Sequence, residues 1–463
     1  MQEIALADTE IAPRRAHLTD SRPIDWDRVA TSEAGQAAID HLLARLEANE
    51  GRVRARRAAD RERLRATLEA VVMDLFVAAR TAAGRYLAYS RRSNDYSCRS
   101  RYRPPRITHR CVTRVTDFLI EASLADGTRG SYTRIDHGFG VAGRGYCSRL
   151  IATPALVELL EDRFGLRLAD VGHRPDREVI VLKGPSPRRG ASKPLVNYQD
   201  TPETADMRAR LHQINSQLTA SDIRLGEEGR RIVEERGLAL DPGAKTLHRV
   251  FNNGSFEQGG RFYGGFWITL PKTARRHLLI DGRPVVELDF KALHPRLCYA
   301  LAGIPLERGR DPYAIDGLPR PLVKKAFNQL LNASPGMRLR ASAEAKALLP
   351  RGMSYVRVLE RIERRHRPIA FWFRSGRGLE LQRIDAMIAE GVMEQMVQAC
   401  GIVVLPVHDS FIVKAQHEAL LGQTMMLACR GVVSHLTGAP SWPVIDDWSD
   451  DEVRCAVERS LGL

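Results

Sequence analysis

Val285-Val286-Glu287-Leu288-Asp289-Phe290-Lys291-Ala292-Leu293-His294-Pro295-Arg296 is the stretch on which the rest of the chain is organised. It reads as a short apolar strand that delivers a carboxylate, Asp289, at its end and then bends into a helix. An acid at the tip of a buried strand is costly unless it is paired or holds a metal. A second stretch of the same kind is Gly401-Ile402-Val403-Val404-Leu405-Pro406-Val407-His408-Asp409-Ser410-Phe411-Ile412-Val413. Its form is apolar strand, His-Asp-Ser turn, apolar strand, a β-hairpin with Asp409 at the tip. A lone aspartate at a strand end is most often a turn former or a helix cap. Two of them on adjacent strand ends are the minimum apparatus for holding two Mg²⁺ ions against a phosphoryl group.

These residues carry a resemblance. Asp289 to Arg296 resembles the first catalytic motif of family A DNA polymerases, with Asp289 and Arg296 in the matching places. Val407-His408-Asp409-Ser410 resembles that family's third motif, and its serine is similar to the His-Asp-Ser of phage and mitochondrial single-subunit RNA polymerases. Between them Arg320-Pro321-Leu322-Val323-Lys324-Lys325-Ala326-Phe327-Asn328 resembles the fingers helix, Arg-x-x-x-Lys followed by an aromatic residue. The resemblance covers roughly residues 245–415.

The resemblance implies a division of labour. Asp289 and Asp409, with the backbone carbonyl of Phe290, would hold two Mg²⁺ ions, Mn²⁺ being able to substitute. Lys324 would meet the triphosphate and the pyrophosphate leaving group, with Arg320 one helical turn before it on the same face. Lys325 points elsewhere on a helix, so only one lysine of the pair can serve, and the spacing favours Lys324. Lys325 and Phe327 remain candidates for nucleotide contact, as does His294. His408 would bond the primer-terminal phosphate. Arg249 is expected against the primer–template, and Arg261, Lys272, Arg275 and Arg276 can meet phosphates, as can Arg296. The glycines of Gly259-Gly260-Arg261-Phe262-Tyr263-Gly264 permit close approach to a ligand, although an ordinary Gly-rich hairpin reads the same way.

The pattern departs from the family at three places. His294 stands where the family carries a glutamate that screens the sugar 2′-position, Asn328 stands at the expected aromatic, and Ser410 replaces a glutamate. The choice between deoxyribose and ribose is therefore open. The short spacings between motifs imply reduced fingers. Glu287 shares Asp289's face of the strand and is either a spare metal ligand or the partner of a nearby arginine. Gln382 and Asp385 sit where related polymerases place a polar helix facing the template.

The chain has 463 residues, enough for two or three domains, and a net charge of +14, which points to a polyanionic partner, most simply nucleic acid. No run approaches the roughly 20 apolar residues that span a bilayer. The N-terminus lacks the pattern of a signal peptide, and the seven cysteines are scattered without C-x-x-C spacing. A reducing, cytoplasmic setting without zinc or a disulfide framework is expected. No Gly-x-x-x-x-Gly-Lys-Ser/Thr loop and no exonuclease-like acidic cluster is present.

In chain order, residues 1–63 read as a polar and basic lead-in, with 38–65 a solvated helix whose arginines either face water or touch phosphates. Residues 64–170 read as a small basic domain. A helix from Val112 to Glu121, then Gly130-Ser131-Tyr132-Thr133-Arg134-Ile135 and Gly143-Arg144-Gly145-Tyr146-Cys147-Ser148-Arg149-Leu150-Ile151, resemble the helix and two-stranded wing of replication-initiator winged-helix modules. Arg144 and Arg149 would then touch DNA. The alternative is a small α/β domain that braces the next one. Thr153-Pro154 opens a helix, 171–206 reads as a linker or arm, and 203–238 returns to helix with Met207, Leu211, Ile214, Asn215 and Leu218 on one face. A long helix over 379–400 is expected beneath the sheet.

The expectation is an α/β (α+β) chain: a right-hand polymerase palm with reduced fingers over 207–463, after a mainly helical, winged-helix-like domain. Its function would be template-directed DNA synthesis on a primer–template, with nucleoside triphosphates as substrates. Two rivals stand beside it: an RNA polymerase or primase using ribonucleotides, and a non-catalytic, initiator-like protein that binds promoter or origin duplex.

Overall fold

The computed structural model describes residues 21–81, 84–97, 100–130, 132–136, 141–187, 191–306 and 311–438, with the backbone alone described over 132–136 and 141–145. The basic Arg188-Arg189 pair and the first 20 residues of the lead-in fall outside these. The chain forms two compact units of mixed helix and sheet: 1–178 with 231–245, and 179–230 with 246–463.

The first unit begins with β1 (Arg22–Pro23) and β2 (Arg28–Ala30), followed by helices α1 (Glu33–Asn49) and α2 (Ala58–Thr81). Ser32 starts α1 by accepting the Gly35 N–H at 3.2 Å. The single solvated helix expected over 38–65 is not what forms. The chain breaks at Gly51, in a left-handed turn (φ 55°), and both flanking helices are core elements. Ala38, Ile39, Leu42, Leu43 and Leu46 are buried on α1, as are Leu64, Leu68, Val71, Val72, Leu75 and Phe76 on α2. Few apolar residues are needed when each falls at helical spacing, and the dense charge between them hid the stripe.

Next come β3 (Leu87–Tyr89), α3 (His109–Glu121), β4 (Ala125–Thr128), β5 (Tyr132–Asp136), β6 (Val141–Gly145), β7 (Ser148–Ala152), α4 (Pro154–Glu158) and β8 (Val171–His173). Thr108 caps α3 by accepting the Cys111 N–H. β5 and β6 form an antiparallel hairpin, with Arg144 opposite Thr133. The second arm of the expected wing does not continue past Gly145. Residues 148–152 leave it as β7 and enter a four-stranded sheet in the order β1-β3-β7-β4. Leu150, fully buried, is the reason: an apolar side chain there is worth more inside a sheet than on a wing. Thr153 and Pro154 open α4 as expected, though the threonine hydroxyl donates to the Ser123 carbonyl instead of capping.

The second unit runs through β9 (Ile180–Leu182), α5 (Pro202–Ala220), β10 (Ile223–Leu225), β11 (His248–Asn252), β12 (Ser255–Tyr263), β13 (Leu278–Ile280) and β14 (Arg283–Asp289). Then follow α6 (Leu293–Leu301), α7 (Arg320–Asn332), α8 (Tyr355–Arg365), α9 (Gly378–Glu394), β15 (Leu405–Val407), β16 (Ser410–Lys414) and α10 (Glu418–Thr437). The span expected as a linker therefore holds two strands, β8 and β9. β9 lies parallel to β11, because Val179, Ile180 and Leu182 are buried. The face named on α5 is buried throughout, and Asn215 earns its place there by bonding both the N–H (2.7 Å) and the carbonyl (2.9 Å) of Leu247. The helix expected to continue past it ends at Ala220, and β10 follows.

The central sheet of this unit has five strands in the order β10-β13-β14-β16-β15, antiparallel at every pairing. α10 packs on β14 and β16. α9, expected beneath this sheet, lies against β12 of the other sheet, with Ile384, Ile388 and Val392 buried and Cys400 beyond its end exposed. An apolar stripe tells that a helix packs, not which of two sheets it packs on. Among the described residues no helix is long and apolar enough to cross a membrane.

Candidate active site

β14 and β16 are adjacent and antiparallel, with Val286 opposite Val413, Leu288 opposite Phe411 and Asp289 opposite Ser410. This register carries both acids to one end of the sheet: Asp289 closes β14, and Asp409 sits in the two-residue turn between β15 and β16. The Phe290 N–H donates to the Asp409 carbonyl at 3.3 Å, tying the two tips together. Phe290 itself is buried, its ring edge-on to Phe411. His408, the other turn residue, takes a left-handed φ of 59°. Neither acid's side chain has a hydrogen bond or ion pair among the described residues. The Asp289 carboxyl is held above its ordinary value, first by partial burial and then by the charge of Asp409, while Lys272 and Lys324 pull the other way. Two carboxylates and two ammonium groups thus share one electrostatic neighbourhood.

Glu287 is no part of that pair. Arg275 grips it with two hydrogen bonds, of 3.0 and 2.8 Å, and the Ser410 hydroxyl adds a third at 2.8 Å. Of the two readings open for Glu287, the arginine partner is the one observed, and Arg275 is thereby withdrawn from phosphate contact. Arg276 bonds the neighbouring His277 ring.

Beside the acids lies a second network. Asp385, buried on α9, receives Arg261 (Nε at 3.2 Å from each oxygen, with a closer Nη2 contact) and bonds His294 Nε2 at 2.9 Å. Arg261 and His294 are therefore positioned by one carboxylate. His408 stands edge-on to Tyr263 with ring centroids 6.0 Å apart. Burial and the nearby Arg261 guanidinium depress its pKa, so its imidazole is neutral at pH 7.

α7 presents Lys324 and Lys325 to solvent and buries Leu322, Val323, Ala326, Phe327, Leu330 and Leu331. Lys325 is ion-paired to Glu344, while Lys324 has no such partner among the described residues. Arg320 pairs with Asp311 and lies over the Tyr313 ring at 5.4 Å. Phe327 cannot meet a nucleotide. It is fully buried among Tyr313, His366 and Phe373, because on a helix it falls on the apolar face, two places after the exposed Lys325.

Arg249 is likewise no nucleic-acid contact. Its side chain is wholly buried, donating to the Gly260 carbonyl at 3.0 Å and to Glu390 at 2.7 Å, and burial brings its pKa down to about 10. The glycines next to it serve packing and not a ligand. Gly259 and Gly260, both at φ 83°, leave room for Asn252 and for the Phe251 ring, which an added Cβ would meet at 2.5 and 2.7 Å. Arg296 is half-buried and donates to the Lys291 carbonyl, and Lys272 opens the short helix Lys272–Arg275. In the first unit Arg149 is buried on β7, bonded to Ser21, and so faces no wing groove.

The residues missed at first reading are Glu390, Tyr263 and the partnering role of Asp385. Asp385 and Glu390, two of the four acids of α9, were a usable signal, since a buried carboxylate demands a cation, here Arg261 for Asp385 and Arg249 for Glu390. Tyr263 left no signal in its neighbours. Among the described residues no group of three or more His, Cys, Asp or Glu is placed to hold a metal. Comparison with known proteins found no matching family model, no matching curated protein and no matching solved structure.

Proposed function

We propose that the second unit is a template-directed nucleotidyltransferase, a DNA polymerase working on a primer–template. The observation that carries this reading is the meeting of Asp289 and Asp409 at one sheet end, uncommitted to other side chains, with Lys272 and Lys324 in their field. An uncommitted acid whose proton affinity is raised by burial and by a second carboxylate beside it is a cation site in waiting. The donor set suits Mg²⁺, which keeps several waters and takes one or two carboxylates together with substrate phosphates. Bound there, divalent ions supply charge neutralisation at the attacking and leaving oxygens.

The chain's own groups have distinct tasks in such a reaction. The primer 3′-oxygen forms a bond to the α-phosphorus as the bond to the pyrophosphate oxygen breaks. Lys324, exposed and without an ion-pair partner among the described residues, neutralises the departing pyrophosphate and can give it a proton. Neutral His408 offers a hydrogen bond and no charge, suiting it to position a primer phosphate oxygen. Asp385 orients His294 and Arg261 at the edge of the nucleotide site, where the sugar would sit. Arg320 is partnered by Asp311 on a surface where solvent screens the pair, so a triphosphate can compete for it.

The test is extension of a labelled primer–template with Mg²⁺, run separately with deoxynucleotides and ribonucleotides, beside an Asp289→Asn/Asp409→Asn double variant. Templated extension that disappears in the variant supports the polymerase, and the preferred sugar assigns the role of His294. Absence of extension with both nucleotide types, nucleic-acid binding being retained, overturns it in favour of a binding protein.

A further inference from the structure

The first unit holds a feature that the acid pair does not use. Between the turn after α1 and the start of α3 lies a cavity of about 440 Å³ whose wall contains seven arginines and a single carboxylate, Asp60. Such a density of like charge is repulsive unless something anionic offsets it. Part of it is offset within the chain. Glu50, its carboxylate almost wholly buried, pairs with Arg56 and, at 2.8 Å, with Arg114, and Asp60 pairs with Arg63 at 3.0 Å. These pairs fix the turn against α3. They leave Arg54, Arg57 and Arg110 exposed on the wall, with no ion pair or side-chain hydrogen bond among the described residues.

We infer that this cavity is a phosphate-binding site for a nucleic-acid backbone, gripped by Arg54, Arg57 and Arg110. The lining names the class of ligand. Guanidinium groups match phosphate oxygens in pairs. The wall has no aromatic side chain on which a base could stack, so the grip reads charge and not sequence. A polyanionic strand is the partner that satisfies three unpaired arginines at once and fits a chain of net charge +14. The site is independent of the polymerase reading, and its ligand can be measured without nucleotides or divalent ions.

The experiment is fluorescence anisotropy of the full chain, in EDTA, with a labelled oligodeoxythymidine and a labelled mixed-sequence strand over a range of salt. The Arg54→Gln/Arg57→Gln/Arg110→Gln variant should bind both strands more weakly to the same extent. Its slope of log affinity against log salt should be shallower by about 2 to 3, since each phosphate contact contributes about 0.7 to 0.9. The corresponding triple lysine variant should keep the slope. The three single glutamine variants, each shallower by just under about 1, serve if the triple variant is poorly folded. An unchanged slope in the glutamine variants overturns the site. So does calorimetric binding of tripolyphosphate that these variants lose while strand binding stays intact, because the ligand is then a free polyphosphate.

Discussion

Arg275 holds Glu287 in a two-pronged ion pair, and by doing so it separates one acid of the sheet end from the other two. Glu287 is two residues before Asp289 on the same strand and would otherwise add a third negative charge to the cluster. With the Ser410 hydroxyl completing its coordination, Glu287 is held below the usual carboxylate range against its own burial, and the charge is spent locally. Among the charges that act on Asp289, Glu287 then comes last, after Asp409, Lys272 and Lys324.

The Asp289 carboxyl binds its proton more tightly in the folded than in the unfolded chain. Stability therefore falls as pH rises through the window above the ordinary value of 3.8, and the loss persists at neutral pH. In EDTA, Asp289→Asn should melt higher than the natural chain at pH 7, by about 1–2 °C. The gain should vanish on acidification below pH 3.8. Thermal melts at a series of pH values check this, and a lower melting point for the variant at pH 7 contradicts it.

Divalent cations should reverse that ranking. A ligand that binds only the folded chain stabilises it by RT ln(1 + [L]/Kd), about 1.4 kcal/mol at ten times Kd. Mg²⁺ should raise the Tm of the natural chain in a saturable way and leave Asp289→Asn/Asp409→Asn unmoved. Equal shifts in both proteins would place the cation elsewhere.

The adjacent lysines of α7 should differ sharply. Lys324→Ala should lower kcat for nucleotide addition by about 10²-fold, the usual cost of removing one positioned charge from a phosphoryl-transfer site. Lys325→Ala forfeits only its exposed pair with Glu344 and should stay within about twofold in rate and about 1 kcal/mol in stability. Single-turnover kinetics on both variants separates the two roles.

Arg249→Ala should act on folding. It strips a buried guanidinium from Glu390 and from the Gly260 carbonyl and leaves the carboxylate unpaired, a loss of about 3–5 kcal/mol. Urea unfolding measures it. The salt dependence of nucleic-acid binding by the folded fraction should be unchanged, whereas a shallower slope would return Arg249 to the interface.

What could be read from the sequence was set by how local the physics is. The two strand ends carrying Asp289 and Asp409 were legible because an apolar run, an acid and a turn are all written within a few residues of one another. The packed face of α5 and the helix start at Thr153-Pro154 were legible for the same reason. Arg249 and Phe327 were misplaced because a motif gives residue types and order, while which side of a helix or strand meets the core depends on partners far along the chain. Glu390, which claims Arg249, lies on a different element altogether. Residues 38–65 were obscured by the opposite difficulty, charge so plentiful that it covers the periodic apolar residues beneath it, whereas Leu68, Val71, Val72, Leu75 and Phe76 show helical spacing plainly.

Both strand tips that carry the paired acids are followed or preceded by a non-glycine residue in left-handed backbone, Ala292 at φ 53° and His408 at φ 59°. Each such residue costs about 1 kcal/mol or more that a glycine would largely avoid. A selection for heat tolerance alone should thus drift toward glycine at 292 and 408, and the lineages that win it should be slower at whatever chemistry the tips perform.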